Sequence, residues 1–245
     1  MNNKSRGTLM CPVPSEKRTL LSRSTPFHFR CHADLPCFTQ CCRDVNIYLT
    51  PYDVLRLRTR LGISAAEFLH KYTRHFLARQ SHLPVVQLAM DPTSLYCRLV
   101  TNEGCSVYSD RPWACRMYPL DLADQEGAYQ PIVNQERCLG LRETTVLTVQ
   151  EWLDDQGVEP YVEMDRVFQA ILPADLIACG KTQPGVGKLL YLAYDLDRFA
   201  ELLKDPRFCS FYELDEETVK AAEADPERLL RLALRYIRGQ MEELL

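Results

Sequence analysis

Apolar positions recur at helical spacing in several separate stretches of the chain. After Thr50-Pro51-Tyr52-Asp53, the residues Val54, Leu57 and Leu61 fall on one face. Thr50 is the expected N-cap, Pro51 suits the first helical position, Asp53 lies in the first turn, and Gly62 is the stop. Ser64-Ala65-Ala66-Glu67 has the form of a capping box and predicts a second helix with Phe68, Leu69, Tyr72 and Phe76 on a shared face. Strand-like runs follow at 85–90 and 95–100, with Asp91-Pro92 as the turn between them. Asp110-Arg111-Pro112 predicts the start of a short helix carrying Cys115, and 129–133 reads as another strand. Beyond Cys138 the pattern becomes helical. Thr148-Val149-Gln150-Glu151 is a further capping box, and Tyr161, Met164, Val167, Phe168, Ile171 and Leu172 form a stripe. Asp225-Pro226 opens a last helix with Leu229, Leu230, Ala233, Ile237 and Met241 facing inward. The class predicted is mainly α with a few short strands, α+β. Residues 1–25 read as a basic flexible tail, 26–145 as an irregular cysteine-rich domain, and 146–245 as a helical extension packed on it.

Cysteine changes the picture. The chain has 11 cysteines in 245 residues, and eight of them fall between Cys31 and Cys138. Such clustering has two physical causes, disulfides or metal. The N-terminal stretch carries Lys4, Arg6, Lys17 and Arg18 without the apolar run of a secretory signal. A cytoplasmic, reducing compartment is therefore expected, where thiols stay reduced and clustered cysteine reads as metal-binding or catalytic. Charge adds less. Residues 1–30 hold six basic side chains against Glu16, an arm of +5 on a body of −9 within a total of −4. An acidic body without a recognised module predicts no nucleic-acid partner, and the longest apolar runs are far shorter than the roughly 20 residues a membrane span requires. Gly180-Lys181-Thr182 and Gly185-Val186-Gly187-Lys188 resemble a phosphate loop only faintly. Asp175 stands where the first glycine should be and Leu189 follows Lys188, so this stretch is expected to be a flexible loop.

The cysteines are spaced Cys31-x5-Cys37-x3-Cys41-Cys42, then Cys97-x7-Cys105-x9-Cys115, then Cys138. Thiolate is a soft ligand that selects zinc, copper(I) or iron–sulfur clusters, and four thiolates complete a structural zinc site or a cubane cluster. Close knuckles are the habit of structural zinc, whereas the second group here is wide and irregular, which suits a cluster or a pair of sites better. Cys41 and Cys42 would point to opposite sides of an extended chain, so different roles are expected for them. His28 and His32 flank Cys31, but a surface or hydrogen-bonding histidine is the commoner reading. Cys11, Cys179 and Cys209 read as packed thiols. Arg111 and Arg116 sit beside cysteines, where a guanidinium could offset the negative charge of a tetrathiolate centre. The alternative is pairing with an acid such as Asp110 or Asp121.

At these residues the sequence resembles the bacterial YkgJ-type cysteine-cluster family of zinc- or iron-chelating proteins. The resemblance is carried by Phe29-Arg30-Cys31, Cys37-Phe-Thr-Gln-Cys41-Cys42-Arg43 and Leu49-Thr50-Pro51-x-Asp53. It continues through Cys97-x-Leu99, Cys105-x-Val107-Tyr108, Arg111-Pro112-x-x-Cys115-Arg116-x-Tyr118-Pro119 and Cys138. The gap between Cys31 and Cys37 is longer than the family's usual spacing. The family is similar to a region of flagellin lysine methylases, for which an iron–sulfur cluster has been proposed. No glycine-rich S-adenosylmethionine loop is present, so methylation does not carry over. The resemblance implies a metal centre held by Cys31, Cys37, Cys41, Cys42, Cys97, Cys105, Cys115 and Cys138, with Tyr108, Arg111 and Arg116 around it. The expected cofactor is an iron–sulfur cluster of the 4Fe-4S kind, with zinc as the alternative. The expected role is redox or electron transfer with a redox or client protein partner. The alternatives are a chelating or assembly module without turnover, or part of a protein-modifying system.

Overall fold

The computed structural model describes residues 19–79, 81–171 and 184–244. The first 18 residues with Cys11, and Leu172, Asp175, Cys179 and Gly180-Lys181-Thr182, lie outside them. The described chain is mainly helical with short antiparallel strands, the α+β class.

Local signals account for the best-formed elements. Helix α1 (Pro51–Leu61) starts on a complete capping box, Thr50 and Asp53 each receiving the other's backbone N–H, and it ends on Gly62 at φ 66°. Helix α2 (Ala65–Tyr72) is capped by Ser64, whose hydroxyl accepts from the Glu67 N–H. It stops at Tyr72, so Phe76 is not on the helical face the spacing predicts. Phe76 lies instead in strand β2 (Thr73–Leu77), 57% exposed, paired antiparallel with β3 (Pro84–Leu88) in the register Thr73↔Leu88. Pairing with a strand whose residues lie 7 to 15 positions further on, Val85 opposite Phe76, overrides the local helical period.

The run 95–100 departs from its expected strand as well. Leu95 takes a left-handed φ of 64°, and Tyr96 and Cys97 make only isolated bridges, to Arg43 and Met90. Only Val100–Thr101 (β4) is a strand, paired with Gly104–Cys105 (β5). A strand before these, β1 (Pro26–His28), pairs with β8 (Val146–Thr148), and β6 (Leu120–Leu122) pairs with β7 (Tyr129–Pro131). Within the stretch read as a tail, Leu21 is buried and exchanges both backbone hydrogen bonds with Tyr129, at 2.8 and 2.9 Å. The short helix α3 (Trp113–Met117) carries Cys115, as expected.

Among the described residues seven helices follow: α4 (Val149–Asp155), capped by the Thr148–Glu151 box, α5 (Glu159–Gln169), α6 (Pro184–Tyr191), α7 (Leu196–Leu202), α8 (Pro206–Phe211), α9 (Glu216–Ala224) and α10 (Pro226–Leu244). The stretch 185–188, expected as a flexible loop, is part of α6. Gly187 is required there, because a Cβ would run into the His82 carbonyl oxygen.

Three apolar cores result. The largest joins Tyr161, Leu190, Phe199, Leu230, Ile237 and Met241 of the C-terminal helices to Tyr52 and Leu55 of α1. The opposite face of α1, Val54 and Leu57, packs with Phe68, Val86, Leu99 and Val107. A third core gathers Phe29, Met117, Leu120, Tyr129, Cys138 and Trp152. Helix α1 therefore locks the cysteine-bearing segment to the C-terminal helices. No described helix is long and apolar enough to cross a membrane.

Candidate metal centre

Backbone structure delivers the cysteines in two ways. Cys41 and Cys42 sit on a 3-10 turn (Gln40–Cys42) entered through Thr39 at φ 66°. With about three residues per turn, such a turn does not point neighbours to opposite sides. That corrects the extended-chain expectation: the two thiols hydrogen-bond each other. Cys97 is brought alongside by its N–H, which donates to the Cys42 carbonyl at 2.8 Å. Cys105 stands opposite Val100 in the β4–β5 ribbon, and Cys115 lies on α3. At the other end, Cys138 precedes the 3-10 turn Leu139–Arg142, and Arg30 N–H donates to Gly140 at 3.0 Å, placing Cys31 beside it. All nine described cysteines, Cys209 included, are free thiols. Cys209 belongs to the helical core, its thiol donating to the Leu203 carbonyl at 3.2 Å.

Backbone amides are aimed at sulfur. The Leu139 N–H donates to Cys37 Sγ at 3.3 Å. Leu99 N–H donates to Cys97, Val107 N–H to Cys105, and Gly140 and Leu141 N–H to Cys138. These bonds favour thiolate, but burial and neighbouring sulfur oppose them. Burial, then Cys41, Cys138 and Cys37, push Cys31 up to about 11. Burial also raises Cys97, Cys105, Cys115 and Cys138, each raised further by other cysteines. In the Cys41–Cys42 pair the Cys42 thiol donates, which lowers Cys41 to about 7 and raises Cys42. The described thiols are crowded enough to oppose one another's ionisation. As they stand, no three described His, Cys, Asp or Glu side chains are set to hold one ion between them.

Beside these sulfurs lie two buried arginines, Arg111 and Arg116, each 7% exposed. Arg111 donates to the Tyr108 carbonyl at 2.6 Å and to Gln156 Oε1, with its guanidinium 3.7 Å from the centre of the exposed Tyr108 ring. Arg116 donates to the carbonyls of Arg111, Gln156 and Ser109 and, at 3.0 Å, to the Tyr161 hydroxyl. Every one of these acceptors is neutral. Asp110, the expected alternative partner, is taken by Arg56 at 2.6 Å, and among the described residues neither buried arginine has a carboxylate within ion-pair distance. Burial, and then Arg116, lower the Arg111 guanidinium, while Cys115 and Cys105 act to raise it. Guanidinium does not shed its proton in proteins, so two adjacent buried cations demand an anion nearby.

Several contributors escape the sequence pattern. The Tyr118 hydroxyl donates to Cys138, and proximity to that sulfur adds to burial in raising the phenol. Tyr118 stands in the Arg-Pro box, so its position was visible though its target was not. Asp53 does more than cap α1: its second oxygen accepts the Trp113 N–H at 2.8 Å and so anchors the helix bearing Cys115. Gln156 and Tyr161 hold the arginines from beyond the cysteine segment, and nothing in the sequence marks them. His28 hydrogen-bonds the Glu143 carbonyl at 3.2 Å, and His32 stands between Asp34 and Glu143. Two clefts, of about 590 and 220 Å³, are lined by residues of the C-terminal helices and adjoining turns and hold no cysteine.

Residues 30–145 match the model of the CxxCxxCC family, described as "Putative zinc- or iron-chelating domain". No curated protein and no solved structure matches the chain. Over residues 30–145, then, the chain is similar to the CxxCxxCC family.

Proposed function

We propose that this protein carries an iron–sulfur cluster of the 4Fe-4S kind on its clustered thiolates and exchanges single electrons with a protein partner. The ligands come from Cys31, Cys37, Cys41, Cys42, Cys97, Cys105, Cys115 and Cys138, and residues 26–145 form the metal-binding unit. One observation carries the reading: Arg111 and Arg116 are buried side by side without a carboxylate, next to Cys105 and Cys115. A metal held by four thiolates has net negative charge and supplies what the pair lacks. The chemistry of the donors suits a thiophilic metal: amides point at four of the eight soft sulfurs, and a bound cation would reverse their mutual opposition to ionisation.

Iron–sulfur is preferred over zinc because the gaps of seven and nine residues around Cys105 are wider than zinc knuckles use. When bound, such a cluster supplies a one-electron couple whose potential follows net charge, hydrogen bonds to sulfur and exposure. The chain's own part is to set those terms. Arg111 and Arg116 are fixed cations that favour added electron density, and the amides and the Tyr118 hydroxyl spread charge from sulfur. Cys31 and Cys41 are exposed, which brings the centre within reach of a partner at the surface. Zinc remains the second reading, because the family description names it.

The test is anaerobic purification of the full chain with iron, sulfide and zinc analysis. Iron and acid-labile sulfide in equal amounts, with visible absorption that bleaches on reduction, are expected. Colourless protein with zinc and no sulfide would overturn the cluster and keep the thiolate site.

A further inference from the structure

We infer that the two clefts along α10 form one binding site for a ligand that joins a flat ring to a diphosphate, the chemistry of a nucleoside diphosphate. No cysteine lines either cleft, so the site stands apart from the thiolates.

The larger cleft, of about 590 Å³, is the anion end. One wall is α10, where Arg228, Arg231 and Arg235 recur at i, i+3 and i+7 and so share a face. The other wall is α9, where Thr218, Ala221 and Ala222 are small and leave the space open. All three arginines are exposed. Arg228 meets Asp225 at 3.5 Å and Arg231 meets Glu163 at 2.6 Å, but both pairs are open to solvent and hold weakly. Arg235 makes no ion pair among the described residues. Asp215 and Glu217 line the same cleft. Asp215 is engaged in capping α9, where it accepts the Thr218 N–H at 2.6 Å. Glu217 is left to accept from a ligand hydroxyl. Guanidinium forks match phosphate oxygens, and a diphosphate brings more charge and more acceptors than the exposed carboxylates it would displace.

The smaller cleft, of about 220 Å³, is the ring end. Leu232 and Arg235 line both clefts, so the two adjoin. Four rings surround the smaller one: Phe199, Phe208, Tyr212 and Tyr236. The last three pack on one another with centroids 4.7, 5.0 and 5.3 Å apart. Phe211, 73% exposed, packs on Tyr212 at 4.9 Å and carries the aromatic surface out to solvent. Aromatic faces take a flat ring by stacking, whatever its substituents. From Arg228 to Tyr236 is eight residues, about 12 Å along the helix, which matches the reach from diphosphate to base. The combined space is of the size that small ligands occupy.

Calorimetric titration of the full chain with ADP at low salt tests the site, with pyrophosphate and adenosine as its two halves. Saturable binding of ADP is expected, and each half should bind at least about tenfold more weakly. Arg235→Gln should weaken ADP about tenfold and lessen the salt dependence of its affinity. Tyr212→Leu keeps an apolar side chain but removes the ring; it should weaken ADP about tenfold with the salt dependence unchanged. No binding of ADP, either half binding as tightly as ADP, or an affinity unaltered by Arg235→Gln would overturn the site. The comparison of ADP with its halves in the unaltered chain decides the matter even where a variant fails to fold.

Discussion

The cysteine-bearing segment and the C-terminal helices hold themselves together by different means. From Pro184 onward, helices α6 to α10 supply most of a core in which Leu190, Phe199, Leu230 and Ile237 are fully or almost fully buried. The segment from Pro26 to Thr148 has four two-stranded ribbons and three short helices, divided between two smaller cores. Isolated two-stranded ribbons are marginal in water. It also buries two unpaired guanidiniums and a crowd of thiols, all unfavourable on their own. The first region is stabilised by ordinary apolar burial. The second buries charges that, on the proposed function, a bound cation and the thiolates it creates would bring into balance.

Removing the metal should break that contrast most visibly. Structural zinc sites contribute on the order of 10 kcal/mol to folding, so chelation should collapse hydrogen-exchange protection across 31–138 and leave it across α10. Equal loss in both regions would mean that the helices depend on the metal as well. The next largest effect belongs to the helical side. Ile237→Ala, at a fully buried position, should cost about 2–5 kcal/mol in denaturant unfolding and leave metal content unchanged.

The arginines give the sharpest contrast because the sign reverses. With metal bound, Arg111→Gln should destabilise by about 1–3 kcal/mol, since it removes the partner of an anionic centre. In the stripped chain the same change relieves an uncompensated buried cation and should be neutral or stabilising. The same direction of effect in both forms would remove the observation on which the proposed function rests. Asp53 adds a pH signature. Burial lifts its carboxyl to about 6, above an unfolded value near 3.9. The folded chain then holds a proton that the unfolded chain lacks between about pH 4 and 6, so this group's stabilisation is present below that window and lost as pH rises through it. The slope is at most about 1.4 kcal/mol per pH unit, and Asp53→Asn should flatten it. Smallest of all, Tyr118→Phe should cost about 1 kcal/mol and lower the reduction potential in a redox titration, by removing a hydrogen bond to Cys138.

The same division governs what the sequence made legible. The caps of α1 and α4, the stop at Gly62 and the inward stripe of α10 are local, and each was readable within a few residues. Phe76 and the run 95–100 were misread because their conformation is set elsewhere. Pro84–Leu88 recruits β2, and Cys42 holds Cys97. The spacing of eight cysteines pointed to a metal site, but not to the backbone ties that position them, such as Arg30 to Gly140 across the whole segment. Gln156 and Tyr161 were invisible for the same reason: a glutamine and a tyrosine in a helical stretch carry no mark of the arginine they will meet.

The central claim is that sulfur from distant parts of the chain surrounds metal. X-ray absorption at the metal edge of the purified full-length protein tests it most directly. A first shell made of sulfur, at about 2.3 Å, is the predicted result. A shell of oxygen and nitrogen, or protein that carries no metal while all its thiols remain titratable, would contradict it.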